Sequence, residues 1–149
     1  MNPNQILPLM LLASGLVNNA TASIAALDTL RNGVQFREAS FFVNLGATDI
    51  ALTALKVQEC DTISGSYTDI TATVFGAAGP TLPSATDDNK MYHITVTGRK
   101  RFLKLIITVG TGSTGANLTV FCVLSTPVAA SLTDLLTAAR GLTNQEVIA

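Results

Sequence analysis

Lys90 to Ser125 reads KMYHITVTGRKRFLKLIITVGTGSTGANLTVFCVLS. Three apolar runs of strand length lie in it: Met91–Thr97, Phe102–Val109 and Leu118–Leu124. They are rich in Ile, Val, Thr, Phe and Tyr, which fit a pleated, half-buried surface. In the first run Tyr92, Ile94 and Val96 alternate with Met91, His93 and Thr95, which predicts one buried face. In the last run both alternating sets are apolar, Leu118, Val120, Cys122 and Leu124 against Phe121 and Val123. That pattern predicts a strand covered on both sides. Gly98-Arg99-Lys100-Arg101 is short enough for a hairpin, and Gly110 to Asn117, with three glycines, reads as a longer loop. The stretch is therefore expected to form a meander at the centre of a sheet.

Upstream, Glu38–Leu45 predicts a strand with Phe41, Val43 and Leu45 on one face. Ala51–Cys60 has leucines at helical spacing (Leu52, Leu55) and also strand-like alternation from Leu55 to Gln58; a strand over Ala54–Glu59 is the expectation. Ser23–Leu30 reads as a short strand, and Tyr67–Ile70 begins a return segment running toward Phe75. Met1–Ala22 is apolar with weak periodicity, an extended arm or a short helix around Pro8–Leu16. Ile6–Leu12 resembles the apolar part of a signal peptide, but no Lys or Arg precedes Arg31, so this segment is expected to remain in the mature chain.

Beyond Pro127 the pattern changes. Ser131 and Asp134 form a weak capping box, Leu132, Leu135, Leu136 and Ala139 share one helical face, and Gly141 follows as a C-cap. A helix this short does not hold itself in water, so its leucines must dock on something. Strands at short spacing with glycine turns and no alternating helices predict an all-β fold, an antiparallel β-sandwich of jelly-roll-like type. The expected division is an apolar N-terminal arm over 1–22, the sandwich over 23–127, and a C-terminal arm with a short helix over 128–149.

The chain has 149 residues, which suits one domain, and only 13% of them are charged, about half the usual share. So little charge cannot cover a whole surface, and some apolar surface is expected to face another protein. The net charge of −1 supplies no drive toward nucleic acid or acidic membranes. Cys60 and Cys122 both fall in predicted strands; they permit one disulfide, but buried free thiols are the expectation.

Chemistry is hard to find. His93 is the one histidine and sits mid-strand without a nucleophile elbow in the chain, so a half-exposed strand position outweighs catalysis. Asp87-Asp88-Asn89 lacks the offsets of a calcium loop and reads as a solvated turn. Gly110 to Gly115 matches G-x-G-x-x-G but leads into a strand, which excludes a dinucleotide site. No enzyme activity, cofactor or metal is expected. Arg99, Lys100 and Arg101 form the one charge cluster; a solvated hairpin tip is the simpler reading, and contact with carboxylates on a partner the more specific one.

Two stretches resemble the tailed-phage head decoration, or capsid cement, proteins. Leu55–Ile70, LKVQECDTISGSYTDI, is similar to their strand, acid-and-glycine turn and aromatic-x-Asp pattern, with Tyr67 and Asp69 at the last two places. Met91–Thr114 is similar to their run of Tyr, strand, Gly-basic-basic-aromatic, apolar strand and Gly-Thr, here Tyr92, Gly98, Lys100, Arg101, Phe102 and Gly110-Thr111. The resemblance implies a β-sandwich on the outside of a capsid that cements neighbouring subunits. Its partners would be the major capsid protein and sister copies, with a trimer favoured, and its place the virion surface. Leu132, Leu135 and Leu136, with Arg99, Lys100 and Arg101, are the expected partner-binding residues. A tail, neck or fibre component of similar fold is the alternative. A carbohydrate-binding module ranks lower, since the chain has no Trp and two Tyr.

Overall fold

The computed structural model describes residues 6–31, 33–77 and 79–128. In chain order the strands are β1 (Leu7–Val17), β2 (Ala20–Thr21), β3 (Leu27–Asp28), β4 (Leu30–Arg31), β5 (Val34–Thr48), β6 (Leu52–Cys60), β7 (Thr68–Asp69), β8 (Lys90–Thr97), β9 (Phe102–Val109) and β10 (Ala116–Val128). A 3-10 turn, Thr71–Thr73, follows β7. The expected helix over Ser131–Gly141, with Leu132, Leu135 and Leu136, lies outside the described residues.

All pairings are antiparallel and they build two sheets. In sheet A, β10 lies between β1 and β5, and the other edge of β5 carries β8 and the short β4. In sheet B, β9 and β6 are central, with β2 and β3 flanking β9 and β7 flanking β6. The chain changes sheet at six of the nine connections between these strands: β1 to β2, β3 to β4, β5 to β6, β7 to β8, β8 to β9 and β9 to β10. That connectivity, with four strand positions in each layer, is a jelly roll. The expected antiparallel sandwich is the fold.

The expected meander is not. Strands β8, β9 and β10 never pair with one another; β8 pairs with β5, β9 with β6, and β10 with β1 and β5. Gly98–Arg101 is therefore a crossing between layers and not a hairpin. Sheets pack about 10 Å apart, and four residues at about 3.3–3.6 Å each reach that far. Gly98 takes φ +63° to make the turn. A hairpin tip and a layer crossing need the same length and the same glycine, so local sequence does not separate them.

The expected N-terminal arm also differs. From Leu7 to Val17 it is an edge strand of sheet A, paired along β10 with two irregularities in register. These bulges explain the weak periodicity: each shifts the alternation by one residue or more. The short strand expected over Ser23–Leu30 shrinks to the two residues of β3, after which Thr29 crosses to sheet A and β4 begins. The return segment after Tyr67 stops at Asp69 and turns, with Ile70 and Phe75 buried.

The core lies between the layers. Phe41, Val43 and Leu45 from β5 and Leu118, Val120 and Leu124 from β10 meet Leu55, Val57, Leu103, Leu105 and Ile107 from sheet B, all at most 1% exposed. The 3-10 turn repairs an edge. Because β7 is only two residues long, part of β6 lacks a strand beside it. Buried Thr73 fills the place: its Oγ1 accepts from the Val57 N–H at 3.0 Å and donates to the Ile70 carbonyl at 2.8 Å. Thr73→Val keeps the shape and removes the acceptor. The orphaned Val57 N–H should cost about 1–3 kcal/mol, read as a lower urea midpoint at unchanged slope.

The cysteines lie in different sheets and are free and buried. Burial pushes the Cys122 thiol up to about 12. Cys60 is packed under the loop after β6, where a Cβ on Gly65 would sit 2.5 Å from its Sγ. At pH 8 the native protein should react slowly with a thiol reagent. Unfolding without reductant should release two reactive thiols; a count of none would mean a disulfide.

Candidate functional site

The two layers present different outer faces. Sheet B is polar outside. Lys56 Nζ bonds Asp69 Oδ2 at 2.8 Å, Gln58 Nε2 donates to Asp69 Oδ1 at 2.8 Å, and the Lys104 ammonium lies 5.8 Å from the Tyr67 ring centre. Sheet A carries three uncharged rows. Register places Pro8, Val123, Ser40 and Thr95 in one; Met10, Phe121, Phe42 and His93 in the next; and Thr119, Asn44 and Met91 in the third. None of these is Asp, Glu, Lys or Arg. Glu38, one row further along, accepts a hydrogen bond from Ser125.

At the centre the rings stack across three strands. Phe42 lies face to face with Phe121, centroids 4.7 Å apart, and with His93 at 4.4 Å. Directly opposed cross-strand positions bring the side chains into contact, so the stack is built by register alone. Met10 and Met91 flank it at 67% and 60% exposure, and Leu16 at 59% extends the apolar surface along the β1 edge. Strand spacing of about 4.8 Å and a two-residue repeat of about 6.8 Å give the plate an area on the order of 300–400 Å². The largest apolar patch on a typical monomer is about 300–600 Å² and often functional. This plate, whose apolar side chains are interspersed with Ser40, Thr95, Asn44 and Thr119, lies at the lower end of that range.

The expectation that Leu118–Leu124 is covered on both sides is corrected here. Its inner set is buried, while Phe121 and Val123 are half-buried on the plate, and among the described residues no element covers them. Their partial burial comes from neighbours in the same sheet. His93 belongs to the stack, with Nε2 2.8 Å from the Thr95 hydroxyl.

The basic crossing is tied into the protein. Arg99 grips Glu59 with two N–H groups, Lys100 Nζ meets Asp61 at 2.9 Å, and Arg101 holds Asp28 at 2.9 and 2.8 Å. Each of the three predicted basic residues thus has a carboxylate of its own fold. At the opposite end, Asp49 accepts the Thr114 and Gly115 N–H groups at 2.7 and 2.8 Å, while the Asn18 amide clasps Gly112 with two bonds of 2.9 Å. The glycine-rich loop is therefore a packed closure. Gly115, at φ +105°, allows close approach, since a Cβ there would come 2.4 Å from the Val17 carbonyl oxygen. In the Asp87–Asn89 turn, Asp87 accepts from Ser84 and pairs with Lys90, and Asp88 accepts the Thr48 N–H.

These carboxylates are held below their usual range. The Lys90 bond and then the Ser84 N–H lower Asp87 to about 2. The Gly115 and Thr114 N–H groups lower Asp49, and Lys56 with Gln58 lowers Asp69. For Asp28, burial pulls upward, but the Arg101 and Leu30 hydrogen bonds outweigh it. A carboxyl lowered by folding adds stability above its unfolded pKa of about 4 and loses it as pH falls through the folded value. The melting temperature should therefore stay level from neutral pH to about 5 and drop as pH falls from about 4 toward 2. A level profile down to pH 2 would mean that these contacts do not survive in solution.

Among the described residues no helix is long and apolar enough to cross a membrane. Comparison with family models, curated proteins and solved structures finds no match to this chain.

Proposed function

We propose that this chain is a structural, non-catalytic virion protein of a tailed phage, which docks on the outside of the capsid and cements neighbouring subunits. The observation that carries the reading is the uncharged plate on sheet A, with its stacked Phe121, Phe42 and His93. A face without charge costs little to desolvate, and rigid aromatic side chains lose little entropy on contact. The plate by itself gives about half of the roughly 800 Å² that one side of a standard interface buries. Exposed Leu16 on the β1 edge enlarges it. Many copies on a symmetric shell add their contacts by avidity, so moderate single affinities suffice. The resemblance in Leu55–Ile70 and Met91–Thr114 supplies the class of partner.

Mass spectrometry of purified particles tests the assignment: hundreds of copies per virion support capsid decoration, and a handful would move the protein to the tail or neck. The plate is tested separately. Met10→Glu with Met91→Glu places two charges on exposed positions and should leave the melting temperature within a few degrees. It should lower occupancy on stripped capsids at least tenfold in a co-sedimentation assay. Full occupancy by the double variant would remove the plate as the docking surface.

A further inference from the structure

At the end of the sandwich where the chain crosses from β8 to β9 lies an open cleft of about 560 Å³. Gln35, Phe36, Arg37, Thr97, Gly98, Arg99 and Arg101 line it, so three arginines border one space. Two are fixed. Arg99 and Arg101 each spend two N–H groups on a carboxylate, Glu59 and Asp28, and each retains three donors. The third, Arg37, is the exception among the described cations. Lys56, Lys90, Arg99, Lys100 and Arg101 have ion pairs, Arg31 donates to the Asp28 carbonyl, and Lys104 faces Tyr67. Arg37 has no side-chain partner among the described residues.

We propose that this cleft binds a single carboxylate presented by a partner protein, an Asp or Glu side chain clamped by Arg37 with the spare donors of Arg99 and Arg101. Three positive charges less the two of Glu59 and Asp28 leave one, the charge of one carboxylate. A nucleic-acid backbone would call for several unpaired cations along a groove. The Arg99 and Arg101 guanidinium groups, already held by Glu59 and Asp28, lose little freedom on binding, and the planar forks of all three arginines match a carboxylate. Gly98 leaves the approach open: a Cβ there would meet nothing within 4 Å. The inference goes beyond the proposed function and stands whether or not the partner is a capsid protein.

The test is a titration of the full chain at low salt, followed by NMR at the arginine Nε–H groups and the Thr97 and Gly98 amides. The probe is acetyl-glutamic acid amide, which carries one carboxylate; inorganic phosphate is the second arm. Saturating shifts at Arg37, Arg99 and Arg101 are expected with the carboxylate. Arg37→Gln should weaken that binding at least tenfold, while Arg31→Gln should leave it unchanged. Absence of saturation, or equal binding by Arg37→Gln, would overturn the proposal. Phosphate binding without carboxylate binding would overturn the assignment of the ligand.

Discussion

Sheet A is held together by β10. Its inner residues, Ala116, Leu118, Val120, Cys122 and Leu124, are all 0% exposed, and it carries hydrogen bonds to β1 on one side and β5 on the other. Everything else on that layer is hung from this strand. β1 reaches the sheet only through it, and β8 reaches it only through β5. The pairing is also long-range: β10 closes against strands about 70–115 residues earlier in the chain, so the layer cannot form before nearly the whole sequence is in place.

The placement of charge follows from this architecture. Each passage between layers leaves backbone and side chains at the ends of the sandwich, and there the carboxylates and cations are used. Arg99 with Glu59, Arg101 with Asp28, and Asp49 on the Gly112–Gly115 loop fasten the two ends. Lys56 and Asp69 occupy the outer face of sheet B. A chain with 13% charged residues has few left for a further face, and the outside of sheet A receives rings, methionines and hydroxyls. Exposed ion pairs such as Lys100–Asp61 contribute little each; their arrangement matters more for which surface they leave bare.

Which residues make strands was legible in the sequence. The alternation in Met91–Thr97, the runs Phe102–Val109 and Leu118–Leu124, and Phe41, Val43 and Leu45 on one face of β5 all appear as read, because side-chain period and burial are local properties. Two cysteines buried as free thiols follow from the same reading. The plate was half legible: an apolar second set in Leu118–Leu124 signals that something must meet it, but says neither what nor where. Strand neighbours were not legible. Gly98–Arg101 has the composition of a hairpin tip, and only the layer in which β8 and β9 find their partners makes it a crossing.

By itself, then, the sequence determined an all-β chain, its strand positions, its buried faces and a shortage of charge. Tertiary structure alone decided that Phe121, Phe42 and His93 stack in one row, and that Arg37 faces the same cleft as Arg99 and Arg101. The physical reason is that periodicity and burial propensity act over a few residues. Register between β10, β5 and β8, and the packing of one sheet over the other, are set by contacts between residues roughly 45–95 positions apart in the chain, for which no local pattern stands in.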